Sequence, residues 1–300
     1  MESPFFSVII PAYNRAYILP RTIQSVLNQQ FENWELIIID DGSKDNTAEL
    51  MKQYSDERIH YHYQNNSERS AARNNGINRS KGKYICFLDS DDEFLPEHLS
   101  GLYRFIQEEK NPIALLYTDC YMVFEDGNKN QIMSKPEPGD PWHIFFLKNS
   151  IIPARICIHH EILKKIQFRE DIVIVEDTVL WTTISLQFPV FHVQQSSIHY
   201  HWHDDNSVNI AKNCFLPRLN GLNKMFADAS VGSQIPSSLK NELLSGCYFG
   251  IARHHELKRN FFSMVKNILL SIAKMPGGKQ TKTKIFMIYA YLRGIKNVNP

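Results

Sequence analysis

Two aspartates, Asp89 and Asp91, follow the apolar run KYICFL (83–88) in the stretch Asp89-Ser90-Asp91-Asp92. In an extended segment residues two apart face the same side, so both carboxylates can enter one crevice. Such a pair suits a hard divalent cation whose remaining ligands are phosphate oxygens and water. A diphosphate leaving group needs that cation to offset the charge it develops. Two further polar motifs end apolar runs: Pro11-Ala12-Tyr13-Asn14 after FFSVII (5–10), and Asp40-Asp41-Gly42-Ser43 after WELIII (34–39). The bland alternative for Asp89–Asp92 is a solvated acidic turn that caps the helix opened by Pro96. Three motifs at three neighbouring strand ends favour a shared crevice instead.

The elements that must position these residues alternate along the first 110 or so residues. Runs at 5–10, 34–39, 59–63 and 83–88 read as strands. Helical patterns lie between them at 18–30, through Leu50, Met51 and Tyr54, and from Ser67 to Ile77, with another after Pro96. Continuous apolar strands alternating with helices predict an α/β domain with a mostly parallel, Rossmann-like sheet covered on both faces. Beyond Ile113 the pattern predicts strands at 113–119 and 121–133, the latter turning at Asp126-Gly127. A helix is expected over 176–188 and extended chain over 197–203. After Asn209 the signal is helical, broken at Pro236 and Pro276-Gly277-Gly278.

Other residues carry chemistry of their own. His199, His201 and His203 alternate, so an extended segment would put all three on one face, a pattern open to metal binding. Trp142 and Trp181 could stack on a sugar, with core packing the expected role of Trp181. Composition narrows the classes. Lys plus Arg is 33 and Asp plus Glu 32, for a net charge of +1, which disfavours a nucleic-acid binder. Yet from Arg253 to Pro300 there are ten Lys/Arg and one acid, Glu256. A basic tail with Phe261, Phe262, Val265, Ile268, Leu269 and Ile272 at helical spacing predicts contact with an anionic membrane, the alternative being packing on the catalytic domain. Lys258, Arg259, Lys266, Lys274, Lys282 and Lys284 supply its charge. Five widely spaced cysteines with no C-x-x-C indicate neither a disulfide framework nor a zinc knuckle. The start MESPFFSVIIP lacks a basic n-region, and no run reaches the ~18 apolar residues of a spanning helix. The expected location is cytoplasmic, peripheral to the membrane face. P-loop chemistry is excluded by the absence of G-x-x-x-x-G-K. A haloacid-dehalogenase-type phosphohydrolase is disfavoured because its D-x-D follows the first core strand.

Taken together, SVIIPAYN (7–14), IIIDDGSKDNT (37–47), ERSAARNNGI (68–77), GKYICFLDSDDEF (82–94) and Glu176-Asp177 closely resemble the family-2 glycosyltransferases, over roughly the first 210 residues. The resemblance implies a GT-A (nucleotide-diphospho-sugar transferase) fold over 1–210 and a helical, basic region over 211–300. It implies an inverting, metal-dependent hexosyltransferase or N-acetylhexosaminyltransferase of bacterial surface-glycan type. The donor would be a nucleotide-sugar, a UDP-sugar first, and the acceptor a glycan or lipid-linked saccharide. By the same resemblance Pro11, Ala12 and Tyr13 line the nucleotide pocket, and Asp41 accepts a hydrogen bond from the base while Asp40 holds the turn. Asn65, Arg69 and Arg73 border the nucleotide, Arg73 alternatively pairing with Asp89 or Asp91. Asp89 and Ser90 contact the donor, and Asp91, with Asp89 and His203, holds Mn²⁺ or Mg²⁺, the alternative for His203 being a partly buried, hydrogen-bonded histidine. Asp177 is the implied general base, with Glu176 in support, because a sugar hydroxyl needs its proton removed near neutral pH. Ser207 matches a Ser common after the histidine stretch. One departure is Glu68, where many relatives carry Gly, so the loop entering that helix is expected to differ. A catalytically silent nucleotide-sugar-binding or scaffolding module is the competing reading; retention of both Asp91 and Asp177 argues against it.

Overall fold

The computed structural model describes residues 3–203, 213–278 and 280–293, so Ser207 lies outside the described residues. Two compact units emerge. The first holds the chain up to Asp171 together with Glu176–His203. The second holds Ile172–Val175 and the C-terminal helices.

The first unit runs β1 (Phe6–Ala12), α1 (Leu19–Leu27), β2 (Trp34–Asp40), α2 (Thr47–Met51), β3 (Ile59–Tyr63), α3 (Glu68–Arg79), β4 (Tyr84–Phe87), β5 (Glu93–Phe94) and α4 (His98–Glu108). It continues with β6 (Leu115–Val123), β7 (Lys129–Ile132), α5 (Trp142–Lys148), β8 (Ile156–His159), α6 (His160–Leu163), α7 (Glu176–Ser185) and β9 (Val190–His201). Nine strands form one sheet in the order β3-β2-β1-β4-β8-β6-β9-β5, with β7 on β6. The half β3-β2-β1-β4 is parallel. Beyond it β8 runs antiparallel to both β4 and β6, while β9 lies parallel to β6. A Rossmann-like parallel half thus continues into a mixed extension.

The apolar strands are buried on both faces, which is why they read as unbroken hydrophobic runs. Phe6, Val8 and Ile10 join one core with Leu36, Ile38 and Leu102, on the α1 and α4 side. Ile9 points the other way, into a core with Ile77, Phe87 and Trp181. Gly76 makes the second packing close: a Cβ there would meet Ile9 Cγ2 at 2.5 Å, so only glycine lets α3 lie this near the sheet. Trp181 is fully buried and donates its Nε1–H to the Ile151 carbonyl, a core role. Trp142 packs edge-on against Tyr117 and Phe145. All five cysteines are buried free thiols.

The second unit comprises α8 (Phe215–Ala227), α9 (Ala229–Gly232), α10 (Ser237–Leu257), α11 (Phe261–Lys274) and α12 (Thr281–Leu292). Ala252, Met264, Ile268 and Met287 form the core that joins α10, α11 and α12. Residues Ile172–Val175 lie against α8, where a Cβ on Gly221 would meet Ile174 O at 2.7 Å and Val175 Cγ2 at 2.8 Å. Val175 has φ +69°, a left-handed conformation that a β-branched side chain rarely adopts. The sequence expectation for Lys284 needs correction. It is not one of the solvent-facing lysines but a buried one: its Nζ donates to Ser245 Oγ at 3.1 Å, and burial pulls its pKa below the usual ammonium value.

Candidate active site

Because β1, β2 and β4 are parallel neighbours, their carboxyl ends open on one edge of the sheet, and the three polar motifs meet there. The first two loops are tied together. The Asn14 amide donates to Ser43 Oγ at 2.8 Å, and Asn14 Oδ1 accepts from the Lys44 amide at 2.7 Å. Asp40 is buried and holds the turn, accepting from the Ser43 amide at 2.8 Å and the Tyr61 hydroxyl at 2.6 Å. Gly42 sits at φ +83°, and a Cβ on it would meet the Asn66 amide at 2.8 Å. Asp41, also buried, uses a single oxygen: Oδ1 accepts from Gln64 Nε2 at 2.7 Å and the Ser67 amide at 2.9 Å. Its Oδ2 takes neither of these bonds. Pro11 and Ala12 end β1, and Tyr13 and Asn65 stand exposed beside this edge.

Arg73, on α3, is the centre of the arrangement. It is almost wholly buried, donating through Nη2 to Asp89 Oδ1 at 2.7 Å and through Nη1 to Glu176 Oε1 at 2.9 Å. Burial works against its charge, but Asp89 and Glu176 outweigh that and keep the guanidinium above its ordinary pKa. Residues 103 positions apart are thereby joined. Arg69, one turn earlier and half-exposed, brings its Nε to 3.9 Å from the same Glu176 oxygen. Arg73 thus adopts the bracing arrangement weighed as its alternative role. Asn74, not singled out from sequence, steadies the approach to Glu176. It exchanges hydrogen bonds with the Phe168 backbone at 2.9 and 3.0 Å and donates to Glu170 at 2.9 Å. Its place in A-R-N was the available signal.

Glu176 and Asp177 occupy the first turn of α7, where the helix N-terminus favours negative charge. Burial, then the neighbouring Asp177 charge, pushes Glu176 up to about 7 against the pull of Arg73. Asp177 is half-buried, and burial raises its pKa also. The Thr178 amide donates to Asp177 Oδ1 at 2.6 Å.

On the other side of Asp89, Ser90 is buried and its carbonyl accepts from Thr22 Oγ1 at 2.9 Å. Asp91 Oδ2 meets His203 Nε2 at 3.1 Å, both partly exposed. Two neighbouring ligands on one ion, with bonds of about 2.1 Å, lie roughly 3 Å apart. A carboxylate and an imidazole at this spacing suit either a shared divalent ion or a direct hydrogen bond, and among the described residues Asp89, held by Arg73, does not bring a third ligand atom within 4.8 Å of both. Asp92 was missed from sequence. It is fully buried, accepts from the His201 amide at 3.0 Å through Oδ1, and leaves Oδ2 without a partner. Burial and the charges of Asp91 and Asp89 hold it well above the usual carboxylate range.

The three alternating histidines do not converge on one point. β9 ends at His201, and His201 Nε2 pairs with Glu93 Oε1 at 2.7 Å while His203 turns to Asp91. Glu93, His199 and His201 do place ligand atoms within 4.8 Å of one another. Lys129 Nζ, 3.1 Å from His199 Nε2, and Arg21 Nε, 3.3 Å from Glu93, already bring cationic charge to that group. Glu68, the departure from the glycine of relatives, has φ +70°. That is a left-handed conformation, which glycine adopts without steric cost and here a non-glycine residue bears.

Residues 7–166 match the model of glycosyl transferase family 2. The chain belongs to that family. An uncharacterized glycosyltransferase of Rickettsia typhi is 30% identical over 218 residues, 70% of this chain and 68% of the relative. A GalNAc(5)-diNAcBac-PP-undecaprenol beta-1,3-glucosyltransferase of Campylobacter jejuni is 34% identical over 135 residues, 44% of this chain and 42% of the relative. The crystal structure of S. aureus TarS 1–349 in complex with UDP-GlcNAc superposes with a TM-score of 0.64 at 17% identity, covering 96% of this chain and 92% of that one. At that identity the likeness speaks to the fold. The chain spans half or less of the length of the first curated relatives it matches, 26% of one and 50% of the next.

Proposed function

We propose that this family-2 chain is an inverting, metal-dependent glycosyltransferase. It would move a sugar from a UDP-sugar to a hydroxyl of a glycan or lipid-linked saccharide. The observation that carries the reading is the Arg73 bridge. One buried guanidinium fixes Asp89, from the strand-end cluster, and Glu176, from the acidic pair, in a single rigid frame. A donor-binding acid and an acceptor-side base pair must be held together in this way if attack and departure are to lie on opposite sides of the sugar carbon. The relatives add support. The Campylobacter protein is named for a polyprenol-linked substrate, and the TarS crystal contains UDP-GlcNAc.

The residues divide the work. Asp41 keeps Oδ2 for the N3–H of a uracil, while its Oδ1 is occupied by protein donors. Asp89 orients ribose and sugar hydroxyls, Arg73 setting its angle. Asp177 takes the proton of the attacking hydroxyl. The Thr178 amide fixes one of its oxygens, and burial raises its basicity toward the working pH. Glu176, charge-balanced by Arg73, holds the first turn of α7 in place. Asp91 and His203 would hold the Mn²⁺ or Mg²⁺, which when bound would offset the charge gathering on the departing diphosphate. Attack opposite the leaving group inverts the anomeric carbon.

The test is titration of the purified protein with UDP-glucose, UDP-galactose, UDP-GlcNAc, UDP-GalNAc and GDP-mannose, with and without Mn²⁺, following binding and released nucleotide. Metal-dependent binding of one UDP-sugar with slow release of UDP is the expected result. A correctly folded protein that binds none of the five would refute the donor assignment and favour a scaffolding role.

A further inference from the structure

The second unit carries apolar surface that its own core does not use. In α11, Met264 and Ile268 face inward and are fully buried, which fixes the orientation of the helix within its unit. The opposite face still presents Phe262, 84% exposed, and Leu269, 58% exposed, with Leu270 beside them. Together with Val265, Lys266 and Ala273 they line an open groove of about 530 Å³. α12 repeats the arrangement. Met287 and Ala290 are buried, whereas Ile285, Phe286, Tyr289 and Leu292 are exposed at spacings of one, four and seven. On α11 this is contiguous exposed apolar surface, of the kind that marks an interaction site, and α12 adds an exposed apolar stripe of its own.

The charge around these faces identifies the partner. Lys266 sits within the α11 groove, Lys258 and Arg259 precede the helix and Lys274 closes it, all exposed. Lys282, in the first turn of α12, and Arg293, just past its end, are exposed as well. The one acid between Arg253 and the C-terminus, Glu256, is paired with Arg253 at 3.4 Å. A second copy of this chain placed on the same face by two-fold symmetry would set this lysine-rich surface against itself. An anionic partner with an apolar interior has no such conflict. Among the described residues no helix is long and apolar enough to cross a membrane, so the fitting geometry is a helix lying in the interface plane.

We propose that the outer faces of α11 and α12 seat the chain on an anionic lipid surface. Phe262, Leu269 and the exposed residues of α12 enter the acyl boundary, while Lys258, Arg259, Lys266, Lys274, Lys282 and Arg293 engage the headgroups. The inference stands apart from the reaction assigned above and survives or fails independently of it.

The experiment is flotation of the full chain with vesicles of phosphatidylglycerol or of phosphatidylcholine, alongside sedimentation without lipid. Wild type should float with the phosphatidylglycerol vesicles, release as salt is raised, and stay behind with phosphatidylcholine. The double variant Phe262→Ser, Leu269→Ser and the double variant Lys266→Glu, Lys274→Glu should each weaken binding by about tenfold or more. Because these side chains are exposed, the thermal midpoint should hold steady in both. Failure of wild type to float with anionic vesicles would overturn the proposal, as would equal binding to both lipids. So would a dimer in sedimentation that Phe262→Ser, Leu269→Ser splits, since the face would then belong to a second copy.

Discussion

Replacing Arg73 by methionine keeps an unbranched apolar stem but removes the guanidinium, and with it the charge between two carboxylates. Asp89 at 2.7 Å and Glu176 at 2.9 Å then face each other across an apolar stem in a buried site. Breaking a buried ion pair by deleting one partner costs about 3–5 kcal/mol, because the stranded charge has lost its solvent as well. At roughly 2–4 °C per kcal/mol for a domain of this size, the melting midpoint near neutral pH should fall by roughly 10 °C. The pH dependence is the sharper test. Glu176 already stands at about 7 in the folded protein against 4.5 for a free glutamate. A carboxylate raised by folding contributes stability that is complete below its unfolded pKa and lost as the pH rises through its folded one. Without Arg73 the folded value climbs further, each added unit costing about 1.4 kcal/mol once the group is ionised. The gap between wild type and Arg73→Met should therefore widen from about pH 5 to about pH 8, since at the acid end Glu176 is protonated in both proteins. Thermal or urea denaturation at the two pH values measures it. Arg73→Lys, which retains the charge but not the fork, should fall between. A penalty under about 1 kcal/mol, or a gap that narrows as pH rises, would refute the bridge as a stabilising element.

Two further predictions concern individual residues. Asp177→Asn should lower transfer by about 10²–10⁴-fold while leaving nucleotide affinity unchanged, as read by product formation and calorimetric titration on one preparation. A parallel loss of nucleotide binding would show that Asp177 holds the donor instead. Glu68→Gly should raise stability by about 1 kcal/mol in chemical denaturation, by relieving a left-handed non-glycine residue. A fall in stability would mean that the Glu68 side chain itself holds the loop.

The parallel half of the fold was legible because β1, β2 and β4 are buried on both faces and each crossover is local. The run 59–63 coincides with β3, and the polar residues after Ala12, Asp40 and Phe87 were recognisable as strand ends. What escaped was set by partners distant in sequence. Nothing near Arg73 announces Glu176, 103 residues on, and nothing near Glu93 announces His201. The alternation of His199, His201 and His203 is a true strand signal as far as His201. The strand then stops, and the last histidine leaves the shared face for Asp91. Lys284 misled for a similar reason. A lysine in a basic tail reads as solvated until the Ser245–Ser271 contact that receives it is known. Glu68 shows the opposite case, where a single residue out of pattern located a strained backbone position.

The packing of Ile172–Val175 against Gly221 bears on how such chains can be recombined. Exchanging the C-terminal helices between family members looks like a single cut after His203, yet the second unit is made of two pieces of chain. A hybrid that imports foreign helices but retains the native four residues would need a glycine in the foreign helix at the place where Gly221 receives them here. The graft would need to carry both pieces, and the shorter one ends one residue before the acidic pair.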